Sequence, residues 1–165
     1  MKKSISTPKI GLALGSGASR GWSHIGVIKA LLTEGIVPDV VCGTSVGAMV
    51  GGSYVAGKLD DLEHWVLDSN LADVLSFFSI RMPQTAFVDV EEFDEFLDTF
   101  VAAAEVRIES LDQPFAAICT DFEDGHEVML DQGDMADAIR ASMAMPGLFP
   151  AVRIGQKWLI DGGLV

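Results

Sequence analysis

The apolar positions of the first third of this chain switch twice between a strand rhythm and a helix rhythm. Lys9 to Leu14 is a short apolar run that passes directly into the glycine-rich stretch Gly15 to Gly21, a strand followed by a turn. Trp22, Ile25, Ile28, Leu31 and Leu32 then recur at helical spacing, and Gly35 stands where a helix C-cap is expected. Val37 to Cys42 is a second β-rich run, followed by Gly43-Thr44-Ser45-Val46-Gly47 and a small-residue segment ending near Gly57. A chain that opens βαβα predicts a parallel sheet covered by helices.

Farther along, Asp89 is placed to cap a helix whose apolar face is Phe93, Leu97, Phe100 and Val101, with Glu95 and Asp98 turned to solvent. Phe115 to Thr120 and His126 to Leu130 read as strands joined through Asp124-Gly125, a hairpin signal. Asp134 to Met143 reads as a helix stopped by Pro146-Gly147. Val152 to Ile154 and Trp158 to Ile160 form a second hairpin pattern around Gly155-Gln156, just before Asp161-Gly162-Gly163.

Length and composition narrow the classes. With 165 residues, 49% of them apolar, the chain can bury one sizeable core and is expected to be one domain. Its 24 acidic against 11 basic residues give a net charge of −13, which repels nucleic acid phosphates and sets nucleic acid aside as a partner. Val40 to Gly57 carries no charge over 18 residues, but its five glycines suit a strand, a tight turn and a closely packed helix better than a membrane span. Lys2 and Lys3 before Ile10 to Leu14 imitate a short secretory signal, which Pro8 and Lys9 interrupt, so a cytoplasmic location is expected. Cys42 and Cys119 lack metal-ligand spacing and read as small buried residues.

The chemistry concentrates at Ser45. Its G-x-S-x-G setting between a strand and a helix is that of a nucleophile elbow: the sharp turn pushes the hydroxyl clear of the backbone, and Gly43 and Gly47 allow neighbouring chain to approach. Such a serine needs donors for an oxyanion, and the backbone amides of Gly15, Ser16, Gly17, Ala18, Arg20 and Gly21 are the candidates. It also needs a base. His24 lies in the first helix as a packing or hydrogen-bonding residue, His64 sits in an acidic helical stretch, and His126 opens a hairpin strand. Asp161, at a strand end and followed by Gly162 and Gly163, can approach another strand's elbow closely. A rival reading takes Gly15-x-Gly17-x-x-x-Gly21 as a dinucleotide fingerprint and Tyr54-x-x-x-Lys58 as the catalytic pair of a short-chain dehydrogenase. It fails on spacing, because only about one strand-helix unit separates the two, and the second strand ends without an acid for the ribose.

Taken together, Gly15 to Gly21 with His24-Ile25-Gly26-Val27, then Gly43-Thr44-Ser45-Val46-Gly47, then Asp161-Gly162-Gly163 resemble in order the three signatures of the patatin-like phospholipases. Ile139-Arg140-Ala141-Ser142 with Pro146-Gly147 and Phe149-Pro150 is similar to that family's segment before its aspartate. The resemblance covers nearly the whole chain and is nearest to the short bacterial members. It implies a three-layer α/β/α fold with a mostly parallel central sheet, and a Ser45–Asp161 dyad without histidine that works with no metal and no cofactor. It also implies hydrolysis of acyl esters including phospholipids, with a lipid substrate and peripheral membrane contact. Two departures stand out: Ser16 and Ala18 occupy positions that are usually glycine in the family's oxyanion loop, and family domains continue past the aspartate with a further strand and helices. Residues 1–165 are therefore expected to be the N-terminal part of such a domain, with sheet edge and apolar surface left unpaired near Asp161. The competing reading from another class is a lipid-binding or regulatory module on the same fold whose dyad is idle.

Overall fold

The computed structural model describes residues 8–69, 90–102 and 105–165. Six strands form one mixed sheet: β1 (Gly11–Leu14), β2 (Val40–Thr44), β3 (Phe115–Asp121), β4 (Glu127–Leu130), β5 (Val152–Ile154) and β6 (Lys157–Asp161). β1, β2 and β3 run parallel, the parallel core that the βαβα opening predicts. β4 and β6 pair antiparallel with β3, and β5 pairs antiparallel with β6; the turns read from Asp124-Gly125 and Gly155-Gln156 join β3 to β4 and β5 to β6.

The helices are α1 (Ser23–Thr33), α2 (Val46–Val55), α3 (Leu59–Asp68), α4 (Val90–Phe100) and α5 (Met135–Ser142). Trp22 belongs to a short 3-10 turn, Ala18–Trp22, that leads into α1. Gly35, at φ 72, ends α1 as expected: its N–H donates to the Leu32 carbonyl and that of Ile36 to Leu31, a Schellman closure that favours glycine in the left-handed region. α5 begins at its cap, where the Asp134 carboxylate accepts from the Asp137 N–H at 2.9 Å. It ends at Ser142, before Pro146. In α4, Phe93 and Leu97 are buried while Glu95 and Asp98 face solvent. Asp89, read as its cap, lies outside the described residues.

Side chains alternate across a strand, so register sorts the sheet into two faces. Leu12, Leu14, Val41, Phe115 and Ala117 share one face, and all pack in the main core with side chains of α1 to α5. α2 lies at the centre of that face, buried from Val46 to Ser53. On the opposite face Val40, Met129 and Trp158 remain 41%, 57% and 44% exposed. Among the described residues, then, the α/β architecture is built as two layers, and the third layer of the expected sandwich is not among them. Cys119 is buried on the helix side, where burial first and the neighbouring Asp161 charge second push its thiol up to about 12. Cys42, read as buried, is only partly so, because its position falls on the uncovered face.

The uncharged stretch Val40 to Gly57 divides into β2, the elbow and α2. Among the described residues no helix is long and apolar enough to cross a membrane.

Candidate active site

The geometry of the site follows from how β3 shares its edges. β3 pairs with β4 at Ala117, Ile118, Cys119 and Thr120. On its other edge it pairs first with β2, ending at Thr44 opposite Ile118, and then with β6, beginning at Asp161 opposite Cys119. β2 and β6 therefore meet head to head along one edge of β3, and their last residues face consecutive positions of that strand. Asp161 shares its face with Cys119, the side on which α5 packs, and Ser45 turns the chain from β2 into α2 on that same side.

Ser45 adopts φ 55 and ψ −125, a conformation that costs a non-glycine residue about 1–3 kcal/mol and persists only where the surroundings enforce it. The enforcement is steric. A Cβ on Gly43 would lie 2.3 Å from the Gly47 carbonyl oxygen, and one on Gly47 would lie 2.2 Å from the Leu14 oxygen and 2.5 Å from the Gly15 oxygen. The two glycines of the motif thus let α2 start directly against β2 and the end of β1. We expect Gly47→Ala to destabilise the fold by about 3 kcal/mol or more, since the obstructing atoms are backbone. Gly26→Ala, in α1 with nothing outside its own helix backbone within 4 Å of the added carbon, should leave the fold unchanged or slightly more stable. Thermal melts of the two variants measure the contrast, and equal midpoints would refute it.

Asp161 is 1% exposed. Its Oδ1 accepts the Gly163 N–H at 2.7 Å, and its Oδ2 is buried with no hydrogen-bond partner. Its backbone is held on both sides: the N–H donates to the Ala144 carbonyl at 3.0 Å, and its own carbonyl accepts the Thr120 hydroxyl at 2.9 Å. Gly162 and Gly163 keep the following turn close. A Cβ on Gly162 would fall 3.0 Å from the Thr44 side chain, and one on Gly163 would fall 2.9 Å from the Ser16 hydroxyl.

The loop Gly15 to Gly21 closes the third side. Gly17 and Ala18 have positive φ, 156 and 46, and Gly21 sits so near α2 that a Cβ would lie 2.7 Å from the Val46 side chain. The Arg20 N–H donates to the Gly17 carbonyl within the turn, and the Arg20 side chain is exposed. His24 bonds through Nε2 to the Gly15 carbonyl at 2.8 Å, the hydrogen-bonding role read from its sequence. The other two histidines stand elsewhere: His64 lines a cleft between α3 and α4 with Asp61, Trp65 and Phe100, and His126 is an exposed partner of Asp124. Tyr54 and Lys58, the rival dehydrogenase pair, lie at the far end of α2. There Lys58 Nζ donates to the Asp98 and Thr99 carbonyls near the end of α4, as a cation at a helix C-terminus does.

The sequence does not single out Thr120 or Ser142, whose hydroxyls bond to Asp161 and to Ser45 and Ile118 respectively. Ser142 could have been found: it falls on the buried stripe Met135, Ala138, Ile139 of an otherwise apolar helix face, and a hydroxyl there needs a buried partner.

Comparison with known proteins addresses the fold and the family. A structure of VipD from Legionella pneumophila superposes with a TM-score of 0.55 over 95% of this chain and 46% of the other, at 14% identity, a likeness of fold. An uncharacterised NTE family protein of Mycobacterium tuberculosis is 36% identical over 160 residues, covering 97% of this chain and 44% of the relative. The lysophospholipase NTE1 of Kluyveromyces lactis is 30% identical over 180 residues, covering all of this chain and 12% of that protein. The chain thus spans less than half the length of these relatives. The family model described as patatin-like phospholipase matches residues 12–165, from β1 through the Asp161 loop, and the chain belongs to that family.

Proposed function

We propose that this chain carries the catalytic machinery of a serine acyl hydrolase that cleaves lipid esters, phospholipids or lysophospholipids, with Ser45 as nucleophile and Asp161 as base. The observation that carries the reading is the head-to-head meeting of β2 and β6, which delivers the elbow serine and a buried carboxylate with an unpartnered Oδ2 to one side of the sheet. In the proposed cycle Ser45 Oγ attacks the ester carbonyl carbon and its proton passes to Asp161. Backbone amides at Gly17 and Ala18, with the start of α2, stabilise the oxyanion. Collapse expels the alcohol, which takes the proton from Asp161 and leaves an acyl-enzyme. Water then attacks that ester and gives its proton to Asp161; collapse releases the acid and expels Ser45 Oγ, which takes that proton back.

A lipid substrate fits the exposed apolar side chains beside the aspartate loop, Met145 and Leu164, at 38% and 56% exposure, and the lysophospholipase named among the relatives. Peripheral membrane contact would use the same patch. A cytoplasmic location is part of the proposal, supported by the placement of Gly11–Leu14 in the sheet as β1.

The test is saturable hydrolysis of p-nitrophenyl butyrate, p-nitrophenyl laurate and lysophosphatidylcholine by the purified chain. We expect turnover of all three, with kcat/KM rising from butyrate to laurate by about tenfold or more, since each buried methylene contributes about 0.8 kcal/mol. Binding of lysophosphatidylcholine without turnover of any ester would favour the idle lipid-binding module instead.

A further inference from the structure

The parallel ladder between β2 and β3 stops one rung short of the nucleophile. Val41 N–H donates to the Pro114 carbonyl at 3.0 Å. Rungs of a parallel ladder recur every two residues, so the following ones run from Gly43 to Ala116 and from Ser45 to Ile118. The last does not form directly. Instead the hydroxyl of Ser142, fully buried at the end of α5 and 97 residues away in sequence, stands between the two groups. It accepts the Ser45 N–H at 2.9 Å and donates to the Ile118 carbonyl at 2.6 Å.

That inserted hydroxyl has two effects. It satisfies the buried N–H that the strained elbow would otherwise strand, and so holds the backbone of Ser45 at a fixed height above β3. It also props β2 away from the Ile118 carbonyl, the atom against which the aspartate turn closes: a Cβ on Gly162 would lie only 2.1 Å from that oxygen. The nucleophile arm and the acid arm are thus referenced to one carbonyl through one side chain.

We propose that Ser142 is a positioning residue for the Ser45–Asp161 pair, replacing the missing rung with a hydroxyl bridge; the proposal rests on the acyl hydrolase reading above. Being buried, Ser142 has no surface to offer a substrate, so its loss should act on kcat and spare KM.

The test compares wild type, Ser142→Ala and Ser142→Cys by p-nitrophenyl ester turnover, with active sites counted by fluorophosphonate titration. Both variants should lower kcat per titrated site by about 10²-fold, the cost of a displacement near 1 Å, with KM within about twofold. The thiol of Ser142→Cys fills the space but bonds weakly, so it decides the matter if Ser142→Ala does not fold. Exchange of the Ser45 amide proton, followed by NMR, should speed up at least about tenfold in both, a readout that general loss of stability would spread over the whole sheet. Wild-type kcat per site in either folded variant, or unchanged Ser45 exchange, overturns the role. Wild-type protein without ester turnover overturns the hydrolase reading and this role together.

Discussion

Replacing Ser45 by alanine should abolish ester turnover, by a factor on the order of 10⁴–10⁶, while leaving the protein folded. Both parts follow from the elbow. The Ser45 side chain makes no capping hydrogen bond to α2, so its removal takes no support from the helix. The backbone strain at φ 55 is equal for serine and alanine, because both carry a Cβ. What disappears is the nucleophile. A fluorophosphonate should accordingly label Ser45 in the wild type and nothing in Ser45→Ala, read by mass spectrometry of the digested protein. Ser142 is buried with its hydroxyl engaged on both sides, and Ser16 and Ser19 lie on an exposed loop and not in the turn from β2 into α2. Stable labelling at any of these three with Ser45 untouched would remove Ser45 from the mechanism.

The second large effect is expected at Asp161. Asparagine keeps the shape and can still accept the Gly163 N–H through Oδ1, but it cannot take a proton from the serine. Turnover should fall by about 10²–10⁴, the range for loss of a general base. The histidines should behave differently for reasons that their positions supply. His64 and His126 stand outside the site, so glutamine at either should leave turnover near wild type. His24 holds the Gly15 carbonyl, a contact that glutamine can partly restore, so His24→Gln should keep more than about a tenth of the activity. A histidine variant as inactive as Ser45→Ala, beside an active Asp161→Asn, would replace the dyad with a histidine triad.

What the sequence discloses here is whatever depends on neighbours along the chain. The α1 rhythm with Gly35, the cap at Asp134 and the two hairpin turns are local devices, and each appears where its residues place it. The glycines around Ser45 were legible for the same reason, as a turn that admits no Cβ. What stays hidden is long-range: that β6 continues the line of β2 along β3, and that a serine from α5 completes the ladder. No periodicity records which strand lies beside which. The mixed character of the sheet is half visible, since hairpins announce antiparallel pairs but not the partner to which they attach.

The shared edge of β3 also separates the site from the chain that connects its two halves. Thr44, which leads into Ser45, and Asp161 are placed by pairing with Ile118 and Cys119, two adjacent residues whose Cα atoms any trans peptide holds about 3.8 Å apart. The end of α5 touches these positions directly, through the Ser142 hydroxyl and the Ala144 carbonyl, whereas the hairpin loops at 122–126 and 155–156 act through the strands they connect. A surface insertion in them costs loop-closure entropy that grows slowly with length, and leaves the pairing registers alone. Such an architecture can lengthen, acquire lids or change its substrate loops over evolutionary time without redesigning its reactive centre. A one-residue slip in β3, by contrast, would turn the aspartate to the opposite side of the sheet.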